Sequence, residues 1–323
     1  MSSSETPSPR VSVIVVTRDN ADLLRDALAS ILADPSAVPR ELVVVDNGSR
    51  DATAEVVAEA AGDAPFAVRL LAEPEPGLSR GRNRGVAAAR GELLLFTDDD
   101  VVVEDGWADR LAAAFDDPRV GFAGGRTLPL WPEPPPRWME GPHWVHLALY
   151  DHGDESRPLA PGEHVAGANM AIRASLLGPA PFPVDLGNAG DRRFGYEETH
   201  VLDAIRREHA AAYVADAVVH HRIRRERMQP SWFRATYFDQ GIALVRIEER
   251  ERGVARPALP RRVLRAVRTC GQALRLRFRN DRRGRGPDEM WDELERYKWA
   301  GRHVDLLLRN HPGLSRRVRD LVA

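Results

Sequence analysis

Cysteine and lysine are almost absent from this sequence of 323 residues. The single cysteine, Cys270, excludes a disulfide framework and a zinc site built from cysteines. Only one of the 46 basic residues is a lysine, Lys298, so arginine carries nearly all the positive charge. No apolar run approaches the roughly 20 residues that span a bilayer, and the opening residues MSSSETPSPR lack the apolar stretch of a signal peptide. These absences predict a cytoplasmic protein rather than a secreted or membrane-spanning one.

The net charge of −2 hides a strong asymmetry along the chain. Residues 222–323 contain 26 basic and 13 acidic side chains, whereas residues 1–221 contain 20 basic and 35 acidic ones. Such a split favours two regions with different roles, an acidic one that can hold cations and a basic one that can face an anionic surface or partner. At 43% hydrophobic residues the chain can bury a sizeable core, and only the Ser/Pro-rich residues 1–9 are predicted to be disordered.

Strand-like and helix-like patterns alternate over the first hundred residues. Strands are predicted by four short apolar runs, of which the first two are expected to be buried: Val11–Thr17, Glu41–Val45, Val68–Leu71 and Glu92–Thr97. Helices are predicted between them, after Asn20 as an N-cap, over Ala52–Ala61 and over Leu78–Ala89. Repeated β-α-β units of this kind predict an α/β fold with a parallel sheet and helices on both faces.

The pattern changes after residue 127. Residues 128–162 contain five prolines between positions 129 and 136 and three tryptophans, and they show little periodicity, which predicts a long excursion over the surface. Regular structure is predicted to resume at 164–172, followed by a helix around Glu198–Glu208 and a strand that ends at Val218–His221. The remainder looks helical and rich in arginine.

Three polar motifs follow predicted strands directly. They are Thr17-Arg18-Asp19, Asp46-Asn47-Gly48-Ser49 and Asp98-Asp99-Asp100. Ligands of open α/β sheets bind beyond the carboxyl ends of the strands, so these motifs predict one shared site. Burying three adjacent carboxylates beside an apolar strand is costly unless a cation or hydroxyl partners neutralise them, and hard oxygen ligands favour Mg²⁺ or Mn²⁺. The alternative is a solvated acidic turn that caps the next helix.

The segment Pro76–Gly85 supplies positive charge. Its glycines and arginines open a predicted helix, and both the free N–H groups there and the arginine side chains suit phosphate oxygens. A helix with a solvated basic face is the alternative.

Taken in order, eight blocks of this sequence resemble the family-2 glycosyltransferases. The blocks are VSVIVVTRDN, ELVVVDNGSRD, PGLSRGRNRG, ELLLFTDDD, GGR (124–126), GANMAIR (167–173), YEETH (196–200) and VVHHR (218–222). The resemblance implies a GT-A fold with a Rossmann-like, mainly parallel sheet, and an inverting enzyme that uses a nucleotide-sugar donor. It implies a catalytic domain over 10–225, with a nucleotide-binding half at about 10–127 and an acceptor half at about 128–225. Residues 226–323 are then a helical, Arg-rich appendage.

The resemblance also implies roles for single residues. Asp46 and Asn47 match the position that contacts the base of the donor, and Arg82 and Asn83 lie in the block that lines the nucleotide pocket. Asp98 and Asp100 match the outer carboxylates of the DXD motif, which hold the ribose and a divalent cation, with His221 near the metal and the diphosphate. The full set of candidate substrate-binding residues is Thr17, Arg18, Asp46, Asn47, Arg82, Asn83, Asp98, Asp99, Gly125 and Asn169; the candidate metal ligands are Asp100, Asp98 and His221.

Catalysis is assigned by the same resemblance to two adjacent glutamates. Glu197-Glu198 stands where the family usually has Glu-Asp, so Glu198 is the predicted general base, one methylene longer than usual, and Glu197 supports it. Either carboxylate can accept a hydroxyl proton. Alternatively, both glutamates only occupy the first turn of a helix, where acidic side chains are favoured. Of the two histidines at 220 and 221, only one can point into the site, because side chains alternate along a strand.

The predicted partners are a nucleotide-sugar donor and a carbohydrate, lipid-linked or natural-product acceptor, with no nucleic acid. Two rival functions stay open: a sugar-phosphate nucleotidyltransferase and a non-catalytic binding protein of the same fold. The first is disfavoured because the first strand leads into Thr17-Arg18-Asp19-Asn20 instead of a glycine-rich phosphate loop. The second is disfavoured because the carboxylates at 98–100 and 197–198 are all present.

A basic amphipathic helix is predicted near the C-terminus. Val263, Val267, Cys270, Leu274 and Phe278 recur at helical spacing among arginines. This stripe is interpreted either as a peripheral contact with the inner face of a membrane or as a face packed on protein, and the packing interpretation is slightly preferred.

Overall fold

The computed structural model describes residues 9–139, 141–253, 259–283 and 286–322. Apart from Pro9, the predicted disordered N-terminus lies outside these residues. The strands are β1 (Val11–Thr17), β2 (Arg40–Asp46), β3 (Ala67–Ala72), β4 (Leu93–Asp98), β5 (Val101–Val103), β6 (Val120–Leu130), β7 (Arg157–Pro158), β8 (Met170–Arg173), β9 (Asn188–Ala189), β10 (Arg192–Arg193) and β11 (Ala210–Arg222). The α-helices are α1 (Ala21–Ala33), α2 (Thr53–Gly62), α3 (Leu78–Ala88), α4 (Trp107–Ala113), α5 (Glu197–Arg206), α6 (Pro230–Arg252), α7 (Leu259–Arg283), α8 (Pro287–Leu308) and α9 (Pro312–Val322).

The main sheet has the order β3-β2-β1-β4-β8-β6-β11-β5, with β7 beside β11. Strands β3, β2, β1 and β4 are parallel, as are β6 and β11. Strand β8 runs antiparallel to both of its neighbours, β4 and β6. The predicted α/β class is confirmed, and the antiparallel strand arises because no crossover helix precedes β8 to return the chain in the parallel sense.

Both faces of this sheet are covered by helices. In β1, Val11, Val13 and Val15 pack with residues of α1, α2 and α4, whereas Ile14 packs on the other face with residues of α5. Successive side chains of a strand point to opposite faces, so an uninterrupted apolar run is what a strand buried on both sides requires.

Two local expectations need correction. Asn20 precedes α1, but its side chain does not cap the helix; the Asp51 carboxylate accepts the hydrogen bond from the Ala21 N–H instead, at 2.8 Å. Helix α5 begins at Glu197 and ends at Arg206, so that both candidate catalytic glutamates lie in its first turn.

The chain divides into two compact units, each made of several segments. The first comprises Met1–Leu130, Ala148–Asp185 and Glu197–Arg222 and holds the main sheet. The second comprises Trp131–Leu147, Leu186–Tyr196 and Ile223–Ala323 and holds α6 to α9.

Within the second unit, helices α6 and α8 pack closely through two glycines. A Cβ added to Gly241 would lie 1.9 Å from the Lys298 carbonyl oxygen, and one added to Gly301 would lie 1.8 Å from that of Phe238. A buried ion pair between Arg234 Nε and Glu293 Oε1, 2.6 Å apart, joins the same two helices.

The predicted surface excursion is partly wrong. Strand β6 continues to Leu130, and Trp138 and Met139 are buried in the second unit. Trp138 and His143 pack edge-on against Phe233 of α6, with ring centroids 5.3 Å and 5.9 Å apart. Aromatic contacts distant in sequence thus order a stretch that has no local periodicity.

The apolar stripe of the C-terminal region is largely exposed. Val267 is 66% exposed and Phe278 is 59% exposed, whereas Ala266 and Ala273 on the same helix are buried. The helices of the second unit therefore leave these side chains of the stripe uncovered, and its packing on another protein surface or on a membrane stays a prediction. None of the helices in the described residues is long and apolar enough to cross a bilayer.

Candidate active site

Three strand ends lie side by side at one edge of the sheet. In the register of the parallel strands, Thr17 of β1 is opposite Asp46 of β2, and Val16 is opposite Asp98 of β4. This register brings the three polar motifs that follow β1, β2 and β4 to a common edge, as expected for the carboxyl ends of parallel strands.

Asp99 is turned toward the end of β1. Its carboxylate accepts a hydrogen bond from Thr17 Oγ1 at 2.6 Å, and the Asn20 side chain also hydrogen-bonds to it. Burial and the neighbouring Asp100 carboxylate raise the pKa of Asp99 to about 7, against the opposing effect of these two hydrogen bonds. Asp99 therefore keeps the loop after β4 attached to β1.

Asp100 faces β11. His221 Nε2 lies 3.2 Å from Asp100 Oδ1, and both side chains are almost fully buried. The Arg222 backbone N–H donates to the Asp100 carbonyl oxygen at 2.9 Å, which fixes the carboxylate beside the strand. His220 points the other way and lies 2.7 Å from the Glu104 carboxylate. The two histidines thus alternate across the strand as expected, with His221 on the side of the aspartates.

Arg82 lies at the centre of the site. From α3 its guanidinium approaches three carboxylates: Nη1 is 2.7 Å from Glu197 Oε1, Nη2 is 3.6 Å from Asp98 Oδ1, and Nη1 is 4.0 Å from Glu198 Oε2. Burial alone would lower the pKa of Arg82, but these carboxylates raise it above its usual value. Two acidic motifs about a hundred residues apart in sequence are thereby drawn together by one buried cation.

The two glutamates of α5 differ in environment. The Glu197 side chain is 3% exposed, whereas that of Glu198 is 21% exposed. Burial and the adjacent Glu198 raise the pKa of Glu197, although Arg82 opposes the shift. Oε2 of each glutamate is buried, and the two carboxyl groups interact with each other. Glu198 is thus the glutamate with partial access to solvent, which a proton acceptor requires.

The loop that precedes α3 is shaped by Asn47. Its Nδ2 donates to the carbonyl oxygens of Glu73 and Glu75 at 3.0 and 2.8 Å, and its Oδ1 accepts from the Gly77 N–H at 2.7 Å. Gly77 has a φ of +145°, a conformation that side-chain-bearing residues rarely adopt. The amide of Asn47 is thus committed to the backbone of the segment that carries Arg82.

The remaining candidates of the nucleotide half have clear positions. Asp46 Oδ1 accepts from the Ser49 N–H at 2.8 Å, which closes the turn after β2. Arg18 is exposed and lies 3.7 Å from the Asp19 carboxylate. Asn83 makes a two-way hydrogen bond with the backbone of Phe182, at 2.8 and 2.9 Å.

Gly125 and Asn169 lie inside the sheet. The Asn169 side chain is fully buried; it donates to the carbonyl oxygens of Arg126 and Ala217 at 2.8 Å and accepts from Trp107 Nε1 at 2.9 Å. A Cβ on Gly125 would lie 1.9 Å from the Ala217 carbonyl oxygen. Both residues hold β6, β8 and β11 together behind the site, and neither presents a side chain to solvent.

Sequence reasoning missed three residues. The Phe182 ring lies 5.7 Å from the Arg82 guanidinium, and Phe182 also anchors Asn83. Trp107 fixes the Asn169 amide, and Asn20 supports Asp99 instead of capping α1. Of these three, only Asn20 could have been identified from the sequence as a site residue, because it directly follows the polar end of a strand. Phe182 lies in an irregular segment, where local sequence pattern does not predict contacts.

The described residues contain no group of three or more His, Cys, Asp or Glu side chains arranged to hold a metal ion. Asp100 and His221 nevertheless form a close, buried oxygen–nitrogen pair at the strand edge. Mg²⁺ and Mn²⁺ are commonly bound through one or two protein groups, with water and substrate phosphates completing the shell. The donor set therefore fits a cation that is held jointly with a phosphate-bearing ligand.

Curated relatives match a part of this chain. It is 34% identical over 122 residues to the O-antigen biosynthesis protein RfbC of Myxococcus xanthus, a stretch that covers 38% of this chain and 10% of that protein. It is 30% identical over 95 residues to the cholesterol galactosyltransferase of Borreliella burgdorferi, covering 29% of this chain and 26% of that protein. The chain thus spans about a tenth and about a quarter of the lengths of these two relatives.

Solved structures share the fold. The structure of S. aureus TarS residues 1–349 superposes with a TM-score of 0.52 at 16% identity, covering 96% of this chain and 87% of that one. The structure of GalNAc-T7 with UDP, GalNAc and Mn²⁺ gives a TM-score of 0.52 at 18% identity, covering 90% of this chain and 57% of that one. The predicted GT-A architecture is confirmed by these likenesses.

The family assignment comes from a match over residues 12–177 to the model of glycosyl transferase family 2. The matched region is just over half of the chain and contains the strand edge with Thr17, Asp46, Arg82 and the three aspartates. This chain therefore belongs to glycosyl transferase family 2.

Proposed function

We propose that this protein transfers a sugar from a nucleotide-diphosphate donor to an acceptor hydroxyl, with inversion at the anomeric carbon. One observation carries the proposal: buried Arg82 brings Asp98 of the donor-side motif to the same guanidinium as Glu197 and Glu198. A site with donor-binding carboxylates on one side and a candidate base on the other is what a single displacement between two substrates requires.

The donor is bound at the edge formed by β1, β2 and β4. Asp46 faces the base, Asp98 lies on the ribose side, and the amino end of α3 lies on the diphosphate side. The exposed Arg18 and the arginines of α3 supply positive charge there, and guanidinium groups suit phosphate oxygens. Thr17 and Asn20 take part indirectly by holding Asp99.

Asp100 and His221, together with Asp98, would hold a divalent cation, Mn²⁺ or Mg²⁺. Such a cation supplies Lewis-acid stabilisation of the charge that develops on the leaving diphosphate. The GalNAc-T7 structure of this fold contains both UDP and Mn²⁺, which supports the proposal by analogy. The buried pairing of Asp100 with His221 supports it from this chain.

Glu198 is the general base. Its carboxylate takes the proton of the acceptor hydroxyl as that oxygen attacks the anomeric carbon from the face opposite the leaving diphosphate. A single in-line displacement needs one base and leaves no covalent enzyme intermediate, so the anomeric configuration is inverted. Glu197 positions this base through its ion pair with Arg82, since the two glutamates are adjacent in the first turn of α5.

The acceptor is a carbohydrate, a lipid-linked molecule or a natural product with a free hydroxyl. The relatives named above include a protein of O-antigen biosynthesis and a cholesterol galactosyltransferase, whose names point to a glycan and to a sterol. The common requirement is a hydroxyl nucleophile within reach of Glu198.

The proposal is tested by titrating UDP, GDP and dTDP into the protein with and without Mn²⁺, followed by a screen of nucleotide sugars. We expect tight binding of one nucleotide that depends on the cation, and slow hydrolysis of one donor. Proton NMR of the released sugar then gives the anomer formed first. A cation-independent affinity contradicts the metal assignment, retention of configuration contradicts the single displacement, and synthesis of a nucleotide sugar from a sugar phosphate contradicts glycosyl transfer.

A further inference from the structure

Helix α7 carries an unusual concentration of exposed apolar side chains. Of the fourteen large hydrophobic residues that are exposed in the described part of the chain, six lie on this helix: Leu259, Val263, Leu264, Val267, Leu274 and Phe278. Leu264 and Val267 are the most exposed of them, at 69% and 66%. Isolated exposed hydrophobic residues are ordinary, but a contiguous patch marks an interaction surface.

The helix is held to the second unit by a different face. Ala266, Thr269, Ala273 and Asn280 are buried, and Asn280 Nδ2 donates to the Glu293 carboxylate of α8 at 2.8 Å. At about 100° per residue, these four positions fall on one side of α7 and the apolar stripe on another. The apolar stripe therefore takes no part in the packing that holds α7 in place.

The charge of α7 identifies what the stripe can face. The helix contains nine arginines and one acidic residue, Asp281. Arg261, Arg268, Arg275 and Arg279 are exposed, and helical spacing places them along one border of the stripe. An apolar face bordered by arginines matches a surface that offers hydrocarbon below and negative charge above.

We propose that α7 binds the interface of an anionic lipid bilayer, with its stripe inserted among the acyl chains and its arginines among the head groups. A second copy of this chain is a poorer occupant, because stripe-to-stripe packing would oppose two helices that each have an excess of eight positive charges. Nucleic acid is a poorer occupant as well, because the stripe offers one aromatic ring, Phe278, for base stacking. The proposal stands on the second unit alone and does not depend on the proposed transferase activity.

The test is co-sedimentation of the full chain with vesicles of phosphatidylcholine alone or with 30% phosphatidylserine. We expect binding to the anionic vesicles only, weakened as NaCl is raised. Val267→Glu and Phe278→Glu should each weaken binding about tenfold or more, because each inserts a charge where an apolar side chain enters the bilayer. Arg268→Gln and Arg275→Gln should each weaken it about fivefold.

Matched controls separate docking from a general effect of charge. Val184→Glu, at a 51% exposed apolar residue of the first unit, and Arg90→Gln, at an exposed arginine there, should bind the vesicles as wild type does. Because Val267 and Phe278 are exposed, their variants should keep the thermal unfolding midpoint of wild type. Sedimentation equilibrium without lipid should give the same mass for wild type and Val267→Glu.

Three outcomes would overturn the proposal. Absence of binding to anionic vesicles at low salt is the first. Equal weakening by Val184→Glu and Val267→Glu is the second. The third is a wild-type dimer that Val267→Glu dissociates, which would identify the stripe as a subunit interface.

Discussion

Arg82 of α3 and Glu197 of α5 form a buried ion pair, with 2.7 Å between Nη1 and Oε1 and with both side chains less than 5% exposed. The same guanidinium lies 3.6 Å from Asp98 Oδ1 at the end of β4. This arrangement joins the helix that carries the candidate base to the strand edge that carries the candidate donor site.

Replacing Arg82 should destabilise the protein strongly. Arg82→Met leaves Glu197 buried without its cation and close to two further carboxylates, and removal of one partner of a buried ion pair typically costs about 3–5 kcal/mol. Chemical denaturation should measure this loss in the free energy of unfolding. Arg84→Met, at an exposed position of the same helix, should change that energy by less than about 0.5 kcal/mol. Equal effects of the two substitutions would contradict the central role of Arg82.

Asp100 should control cation-dependent binding of the nucleotide. Asp100→Asn removes the charge beside His221 while it keeps the shape of the side chain, so we expect weaker binding of the nucleoside diphosphate in Mn²⁺ and loss of turnover. Asp105→Asn, at an exposed aspartate five residues later, should leave both unchanged. Isothermal titration calorimetry with and without EDTA measures the first effect. Full activity of Asp100→Asn, or of wild type in excess EDTA, would contradict the metal assignment.

Asn169 should matter for stability. Asn169→Ala leaves Trp107 Nε1 and the carbonyl oxygens of Arg126 and Ala217 without their partner inside the sheet. Each buried polar group left unpaired costs about 1–3 kcal/mol, so we expect a loss of about 3 kcal/mol or more in the free energy of unfolding. A loss below 1 kcal/mol would show that this amide does not brace the three strands.

The second unit should be sensitive to acid through His146. Burial, with the charges of Lys298 and His143, lowers the pKa of His146 to about 3, and the neutral ring pairs with Gln240 at 2.9 Å. The folded state therefore keeps His146 neutral, while the unfolded chain binds a proton below about pH 6.5. The stability that results is complete above pH 6.5 and is lost as the pH falls toward 3.

His146→Asn removes this titration and keeps an acceptor near Gln240. Its free energy of unfolding should fall less than that of wild type between pH 7 and pH 4. His311→Asn, at an exposed histidine of the same unit, should follow wild type. Parallel pH profiles for wild type and His146→Asn would contradict the prediction.

Local pattern in the sequence was sufficient for the first half of the sheet. The runs at 11–17 and 41–45 are apolar on both faces, so strand and burial follow directly, and the polar residues after them mark the binding edge. The aspartates at 98–100 were found for the same reason. The sequence also predicts regular structure at β8. Its antiparallel direction depends on the path of the preceding loop, which local sequence pattern does not predict.

The partners of the site residues could not be predicted in the same way. The contact of Arg82 with Glu197 spans 115 positions, and the commitment of Asn47 to the loop at 73–77 depends on tertiary structure. The C-terminal stripe shows the converse case. The helical spacing of the stripe correctly predicts a helix. The face of α7 that packs, however, contains the small residues Ala266 and Ala273, which contribute little to a hydrophobicity pattern.

The assignment of Glu198 as the general base is tested most directly by comparing Glu198→Gln with Glu197→Gln, because each substitution removes one carboxylate and keeps the size of the side chain. Turnover and nucleoside-diphosphate affinity are measured for each, with Asp203→Asn, at an exposed position of α5, as the control. We predict that Glu198→Gln lowers turnover about 10²–10⁴-fold, the usual contribution of a positioned base, and leaves the affinity unchanged. Glu197→Gln should lower turnover by a smaller factor. Near-normal turnover in Glu198→Gln, or a greater loss in Glu197→Gln, would contradict the assignment of Glu198 as the base.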